Sequence, residues 1–418
     1  MLSASLGTLA CGPSSRIDGT DAPTLVDTAV TSDGPAAQLR FTFHNDISRG
    51  QAWVGLFRAD HTPLVWRQAN SQTSTFAAVE PGAYLLAAYR GPLADNSQNA
   101  VRIYYIDEVE LGDNIFAGDR DAVPVRAFQF TLPPLPGAST YAVNTKCGSA
   151  LVGGTTGSID LTCAIGDVAD VLVEAKLDGV SHFLHAANTV LTSPVTLAGN
   201  WAPTPRWQAT LEGLPVTPAR ATGSFHRNFL TRDFSMPNSV GNRITGELAV
   251  PLLSGAGAST VLTEFDLGPS ARMSIREHDS LNGPYTLNVA PRLLPRIDAA
   301  TWNGSAITWS ETALAVAPDG VIGEVRWQQP NNDVTFGMLA PYGAATRSLA
   351  MPPIPAPANQ WLPTTRPSSY FIALTSVNQT IVELGNAGYA SLRQYALDEE
   401  GYWYVPHGTS TFGPIDVP

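Results

Sequence analysis

Apolar residues recur at every second position in many short segments of the chain. Residues 39–43 read Leu-Arg-Phe-Thr-Phe, an alternation of apolar and polar side chains. Successive side chains of a β-strand point to opposite faces, so this period predicts strands with one buried face. Turn-forming Gly, Pro, Asn and Asp residues separate the segments, as in antiparallel sheets. The same alternation appears at 101–105, 128–132, 171–177, 207–211, 273–275, 307–309, 325–327 and 370–374.

The pattern predicts an all-β protein made of tandem antiparallel β-sandwich modules of the immunoglobulin, fibronectin III or prealbumin type. No long segment has apolar residues at helical spacing; residues 387–400 come nearest, and they fit a strand as well. No apolar run reaches the roughly 18–20 residues of a membrane-spanning helix. We therefore expect neither a helical domain nor an internal membrane helix.

The length of 418 residues predicts three or four domains of about 100–150 residues each. A Pro cluster cannot continue a central strand, so the run Leu132-Pro133-Pro134-Leu135-Pro136 is placed at the end of a first module. The predicted divisions are a signal remnant at 1–11, a flexible tether at 12–37, a sandwich at 38–137, a β-rich middle region of one or two modules at 138–296, and a fibronectin III-like module at 297–418.

Charge excludes one class of partner. Charged residues make up 14% of the chain and the formal net charge is −12. Lysine occurs only at Lys146 and Lys176, and no basic stripe interleaved with aromatic residues is present. A polyanion would be repelled, so nucleic acid is not expected as a partner.

The amino terminus indicates how the chain is held. Leu9-Ala10-Cys11-Gly12 follows a short apolar stretch and resembles the end of a bacterial lipoprotein signal peptide. No Lys or Arg precedes it and Thr8 replaces a larger aliphatic residue, so a chance cysteine at an ordinary terminus is the alternative. The resemblance implies lipid attachment at Cys11, a membrane as partner, and an outer-membrane lipoprotein facing the periplasm or the cell surface.

Two further cysteines are spaced for a covalent bond. Between Cys147 and Cys163 lies a run of turn formers, residues 153–157, and Ile159, Leu161 and Cys163 alternate onto one face. This spacing predicts a disulfide across a hairpin, which requires an oxidising compartment. Two buried free thiols are the alternative.

Some segments resemble known modules. Phe76 to Arg90, with Pro81-Gly82-Ala83-Tyr84-Leu85, resembles the late hairpin of carboxypeptidase-regulatory-like or collagen-adhesin B-type (prealbumin-like) modules. Ala306–Ser310 and Glu324–Trp327 are similar to the B and C strands of a fibronectin type III domain. The whole chain resembles surface lipoproteins of high-GC Gram-negative bacteria such as myxobacteria, which implies sandwich repeats, export and no catalytic activity.

Candidate binding residues are few. Asp113, Asp119 and Asp121 offer carboxylates for calcium, the one cofactor considered. Their spacing fits no EF-hand loop, so a solvated acidic turn is the favoured alternative. Tyr402-Trp403-Tyr404 must turn one face outward if it forms a strand, and exposed aromatic rings there would stack on a sugar or anchor a protein. The alternative is a terminal strand with Trp403 buried.

Signatures of catalysis are missing from the sequence. It contains no Gly-x-Ser-x-Gly, no His-Glu-x-x-His and no glycine-rich phosphate loop before a helix. We therefore expect no enzyme but an exported lipoprotein that displays sandwich modules for surface recognition, adhesion or spacing, with a glycan or a surface protein as partner. A carbohydrate-binding or accessory module of a secreted system is the second hypothesis, and a secreted hydrolase with a site assembled from distant loops is the third.

Overall fold

The computed structural model describes residues 37–92, 99–118, 125–215, 221–227, 230–251, 259–268, 271–279, 283–329, 332–343, 347–377, 389, 392–393 and 408–412. These residues form β-strands joined by turns and by the short 3₁₀ segments Ile47–Arg49, Ala290–Arg292 and Ala358–Trp361. Tyr389, Leu392 and Arg393, within the one stretch of the sequence that came near helical spacing, are helical. The strands build four sandwiches, so the predicted all-β fold of tandem sandwich modules is confirmed. The predicted segments 1–11 and 12–36 lie outside the described residues.

Sandwich 1 places the three-stranded sheet β4-β1-β7 against the strands β3-β2-β5-β6. β1 is antiparallel to β4 and parallel to β7. Its Leu39, Phe41 and Phe43 are fully buried, as the alternation predicted. The strands are β1 Leu39–Phe43, β2 Gln51–Phe57, β3 Pro63–Gln68, β4 Thr73–Phe76, β5 Tyr84–Pro92, β6 Asn99–Ile106 and β7 Asn114–Ala117.

Sandwich 2 places β11-β8-β14 against β10-β9-β12-β13-β15 around its own core. Its strands are β8 Arg126–Thr131, β9 Tyr141–Thr145, β10 Gly148–Val152, β11 Thr156–Leu161, β12 Val168–Leu177, β13 Val180–Val190, β14 Val195–Thr196 and β15 Ala202–Pro203.

Sandwich 3 places β19-β20-β16-β23 against β18-β17-β21-β22. Its strands are β16 Arg206–Glu212, β17 Ala221–Arg227, β18 Leu230–Met236, β19 Asn238–Val240, β20 Arg243–Ala249, β21 Ser259–Gly268, β22 Ala271–Asp279 and β23 Tyr285–Asn288.

One strand order is repeated in sandwiches 1, 2 and 3. When β19 of sandwich 3 is left out of the count, the first strand lies between an antiparallel fourth strand and a parallel seventh strand. The second, third, fifth and sixth strands form the facing sheet. The three sandwiches therefore share one scaffold.

Sandwich 4 has a different order, with β24-β25-β28 packed against β27-β26-β29-β30. The segments that resemble the B and C strands of a fibronectin III domain fall in β25 and β26, which belong to opposite sheets. Its strands are β24 Arg296–Trp302, β25 Ala306–Thr312, β26 Gly320–Gln329, β27 Asn332–Pro341, β28 Ser348–Ala350, β29 Ser369–Val377 and β30 Gly408–Phe412.

A single twelve-stranded sheet runs through three of the four sandwiches. Its order is β18-β17-β21-β22-β30-β29-β26-β27-β6-β5-β2-β3. β6 of sandwich 1 pairs in parallel with β27 of sandwich 4, from Asn99 opposite Asn332 to Ile106 opposite Leu339. β30 pairs with β29 on one side and with β22 of sandwich 3 on the other. Backbone hydrogen bonds therefore join sandwiches 1, 4 and 3.

The part of this sheet shared by sandwiches 1 and 4 is the middle of three layers. On β5, Leu85 and Ala87 pack toward β1 and its neighbours, whereas Tyr84 and Leu86 pack toward the sheet of β24 and β25. Six consecutive residues from Tyr84 to Tyr89 are buried as a result. Burial on both faces removes the alternation that marks a surface strand.

The boundaries differ from those predicted in the middle of the chain. β8 and the Pro-rich run after it belong to sandwich 2, where Phe128, Phe130 and Leu132 are buried in the core. The run crosses from one sheet to the other, and the indole N–H of Trp201 donates to the carbonyl oxygen of Pro133 at 3.2 Å. Sandwich 2 therefore begins before residue 138, and the predicted middle region contains two sandwiches.

Candidate functional site

The two cysteines form a disulfide, with their Cα atoms 5.3 Å apart, so the predicted pairing is confirmed. The hairpin interpretation was wrong, because β10 pairs with β9 whereas β11 pairs with β8 of the other sheet. Residues 153–155 thus carry the chain between sheets. The bond from Cys147 to Cys163 closes one open side of sandwich 2, where the N–H of Thr162 also donates to the carbonyl oxygen of Cys147 at 2.9 Å.

Asp113 serves an ion pair and a turn. Its carboxylate accepts from the backbone N–H of Glu110 at 2.8 Å and lies 2.9 Å from Nε of Arg393. Both side chains of the pair are buried. Burial raises the pKa of Asp113, and the Glu110 N–H and the Arg393 guanidinium oppose that rise. The calcium interpretation of Asp113 is therefore replaced by a buried ion pair; Asp119 and Asp121 lie outside the described residues.

The segment that carries Arg393 connects sandwich 4 to sandwich 1. The Arg393 guanidinium also donates to the carbonyl oxygen of Glu108 at 2.6 Å. Leu392 is fully buried in the core of sandwich 1, and the hydroxyl of Tyr389 donates to the carbonyl oxygen of Asp107 at 2.9 Å. These three side chains belong to the segment after β29, and they hold that segment against the turn between β6 and β7.

A second group of charges lies on the ladder between the same two sandwiches. Arg102 of β6 lies 2.9 Å from the carboxylate of Asp333 and 3.3 Å from the hydroxyl of Thr335. On the neighbouring β26, Arg326 contacts the carboxylate of Glu324, which is only 2% exposed. Burial raises the pKa of Glu324, and Arg326 and Arg102 oppose that rise. Two positive and two negative side chains meet here, so the group is electrically balanced and holds the ladder together.

Aromatic side chains of sandwich 1 gather near the β2–β3 turn. The rings of Phe57 and Tyr84 stack at 5.2 Å, and Tyr105 meets Tyr84 edge-on at 5.1 Å. Nδ1 of His61 lies 3.1 Å from the hydroxyl of Tyr84. Burial, with Asp107 and Asp60 nearby, raises the pKa of Tyr84 to about 12, so this phenol is protonated at neutral pH. The rings pack against the core of sandwich 4 and act as structural contacts.

A polar cleft of about 320 Å³ opens on the outer face of sandwich 3. The guanidinium of Arg206 lies 3.2 Å from the carboxylate of Glu247, and both side chains are more than half exposed. The residues that line the cleft are Arg206, Trp207, Gln208, Asn238, Thr245, Gly246 and Glu247. No sequence pattern indicated this site because β16 lies far along the chain from β19 and β20, which supply its other side chains.

Several predicted site residues are not covered by the structure. Cys11 and the aromatic run Tyr402-Trp403-Tyr404 lie outside the described residues. Across the described ranges, no three His, Cys, Asp or Glu side chains are gathered in a way that could hold a metal ion. No helix in the described part of the chain is long and apolar enough to span a bilayer.

Comparison with known proteins gives little more. No protein-family model matches the chain, and no curated protein matches it. Among solved structures, the chain is similar to the "tetra-tandem repeat in extending region of large adhesion protein", at 10% sequence identity and a TM-score of 0.14. That match covers 91% of this chain and the whole of the other.

Proposed function

We propose that this chain is a non-catalytic exported protein whose linked sandwiches serve surface adhesion, recognition or spacing. The observation that carries the proposal is the parallel ladder between β6 and β27, which joins the first sandwich to the last over eight residue pairs. Domains joined only by linkers are expected to move against each other. A shared sheet with apolar cores on both faces opposes such motion, as a protein that holds surfaces at a fixed distance requires.

The shared sheet also removes exposed strand edges. An unpaired edge offers free N–H and C=O groups that can pair with another chain. Here the outer edge of β6 is paired with β27, and that of β22 with β30. Joining the sandwiches in this way suits a protein that must remain soluble and monomeric while exposed outside the cell.

A pulling experiment tests the spacer role. Because sandwiches 2 and 3 lie between 1 and 4 in the chain, a force applied to the two ends of the full protein must first break the β6–β27 ladder. We expect sandwiches 2 and 3 to unfold only after that rupture. Independent unfolding events in random order would contradict a rigid spacer.

The anchor is a separate part of the proposal. We propose that Cys11 is lipidated and that the protein is held at the outer membrane; the Cys147–Cys163 disulfide supports export, since such bonds persist in oxidising compartments. Mass spectrometry of the protein from a Gram-negative membrane fraction should show a diacylglyceryl group on Cys11, and Cys11→Ser should release the protein. The Cys147→Ser variant is the control and should stay in the membrane. An unmodified Met1 in the soluble fraction would contradict the anchor.

A further inference from the structure

Sandwich 3 carries an addition that the other two copies of the scaffold lack. In sandwiches 1 and 2 the sheet of the first strand has three described strands, β4-β1-β7 and β11-β8-β14. In sandwich 3 the equivalent sheet has a fourth, β19, next to β20. The polar cleft lies where β19 begins. Binding sites are commonly added to a common scaffold in this way.

A close crossing of the chain shapes the cleft. The backbone that leads into β19 passes directly over Gly246 of β20. A Cβ atom added at Gly246 would lie 2.2 Å from the carbonyl oxygen of Ser235 and 2.8 Å from Cα of Met236. Only glycine permits this approach, after which Asn238 pairs with Thr245. The crossing thus brings the chain to the edge of β20, where Asn238 of β19 lines the cleft together with Thr245, Gly246 and Glu247.

The side chains that point into the cleft are both donors and acceptors of hydrogen bonds. Arg206 and Gln208 extend from β16, and Glu247 extends from β20 opposite Gln208. Asn238 faces them from the start of β19, and all four residues are exposed. Guanidinium groups donate, carboxylates accept, and amides do both. These side chains converge because they are fixed to neighbouring strands of one sheet. The contact between them is the Arg206–Glu247 ion pair.

Charge narrows the class of ligand. Arg206 and Glu247 neutralise each other at 3.2 Å, so an anion would meet the carboxylate and a cation would meet the guanidinium. A neutral ligand with neighbouring hydroxyl groups can bond to both at once. We propose that this cleft binds a neutral saccharide. Its volume of about 320 Å³ is at the lower end of the range for small-molecule sites and suits a single sugar ring.

The mode of binding follows from the lining. Trp207 is only 8% exposed and packs in the core of sandwich 3, so the cleft does not offer it as a broad stacking surface. Recognition rests on hydrogen bonds exposed to water, each worth about 1 kcal/mol. We expect a Kd of about 1 mM. Such weak sites act together when many copies of a protein face a surface. This inference does not depend on the spacer role, because the cleft lies within one sandwich.

Saturation-transfer NMR on the full chain tests the proposal with glucose, galactose, mannose and N-acetylglucosamine as probes, and inorganic phosphate as the charged comparison. At least one neutral sugar should receive saturation, and its affinity should fall by about fivefold or more in Gln208→Ala and Glu247→Ala. Gln129→Ala is the matched control, since Gln129 is an exposed glutamine on the first strand of sandwich 2, whose sheet β11-β8-β14 has no fourth strand among the described residues. It should bind like the native protein.

One further variant, with a measurement of its stability, separates loss of binding from loss of folding. Asn238→Ala removes a side chain from the added strand alone and should also weaken binding, with an unchanged thermal midpoint. Failure of every sugar to bind at about ten times the expected Kd would overturn the proposal, as would equal losses in Gln129→Ala. Phosphate binding in preference to the sugars would overturn the assigned class. None of these outcomes bears on the pulling experiment, so the two proposals fail separately.

Discussion

Glu324 brings a carboxylate into the ladder that joins sandwiches 1 and 4, where it is almost completely buried. Because burial raises its pKa above the ordinary value of 4.5, the folded protein holds a proton on this carboxylate up to a higher pH than the unfolded chain does. The unfolded chain ionises at lower pH, so the free energy of unfolding should fall as pH rises from about 4.5 through the raised pKa. Glu324→Gln removes this loss. Urea unfolding across that pH range should show the variant gaining stability relative to the native protein as pH rises.

The matched control is Glu80→Gln. Glu80 is exposed, and a hydrogen bond from Arg58 lowers its pKa, so its replacement should not produce a gain of stability with rising pH. A constant difference between Glu324→Gln and the native protein at every pH would show that the Glu324 carboxylate has the same pKa in both states, against this account.

Arg393 is the other buried charge with a clear energetic role. Its side chain is 4% exposed beside the 7% exposed carboxylate of Asp113. Arg393→Ala leaves that carboxylate buried without its cation, and breaking a buried pair in this way costs about 3–5 kcal/mol. Thermal or urea unfolding of the full chain measures the loss.

An exposed pair provides the comparison. Arg58 and Glu80 lie 2.8 Å apart, but both are about half exposed. Solvent screens such exposed pairs, so Arg58→Ala should change the free energy of unfolding little. Equal losses in Arg58→Ala and Arg393→Ala would mean that Arg393 does not fasten the segment to sandwich 1.

Among the elements, the disulfide of sandwich 2 ties one sheet to the other. Its cysteines are 16 positions apart, and closing a loop of about 15 residues stabilises by about 3 kcal/mol in the chain-entropy model. Replacing both Cys147 and Cys163 by Ser should lower the free energy of unfolding of this sandwich by about that amount. Native-state hydrogen exchange of the amides of β9 and β12, whose side chains lie in the core of sandwich 2, measures it.

Reductant supplies the control for this bond. Dithiothreitol should destabilise the native protein toward the level of the double variant and leave the variant itself unchanged. If reductant has no effect on the native protein, the bond between the sheets does not contribute to its stability.

Most elements could be predicted from the sequence where one face of a strand meets solvent. The alternation at Leu39, Phe41 and Phe43 marks β1 because its other face carries polar residues. What local patterns leave open is the partner of each strand. The turn formers at 153–157 predicted a hairpin, yet the chain crosses to the facing sheet there. A turn sequence predicts that the chain changes direction. Whether the next strand pairs with the previous one or enters the facing sheet depends on strands that are distant in the sequence.

The strands of the shared sheet differ from the others because they are buried on both faces. Tyr84 to Tyr89 on β5 and Val334 to Ala340 on β27 are buried along their whole length. Such runs are typical of strands covered on both faces. Their composition was visible in the sequence, but the two layers that cover them come from distant parts of the chain, β1, β4 and β7 on one side and β24, β25 and β28 on the other. The alternation therefore predicted the sandwiches but not the twelve-stranded sheet that joins three of them.

At the scale of the whole molecule, the candidate cleft shows the same limit. Asn238, Gln208 and Glu247 are separated by up to tens of residues, and no motif relates them. They converge because an extra strand was added to one of three copies of a scaffold. The strand order shows how sandwich 3 differs from sandwiches 1 and 2, and strand order depends on pairing between segments that are distant in the sequence.

The central claim is that the first and last sandwiches form one folding unit through the β6–β27 ladder. Native-state hydrogen exchange in increasing urea measures this directly, because residues that open together share one free energy and one dependence on urea. The account predicts that the amides of Asn99–Ile106 and Asn332–Leu339 exchange with the same values. If β6 exchanged with the rest of sandwich 1 at one free energy and β27 with sandwich 4 at another, the sandwiches would be independent and the account would be contradicted.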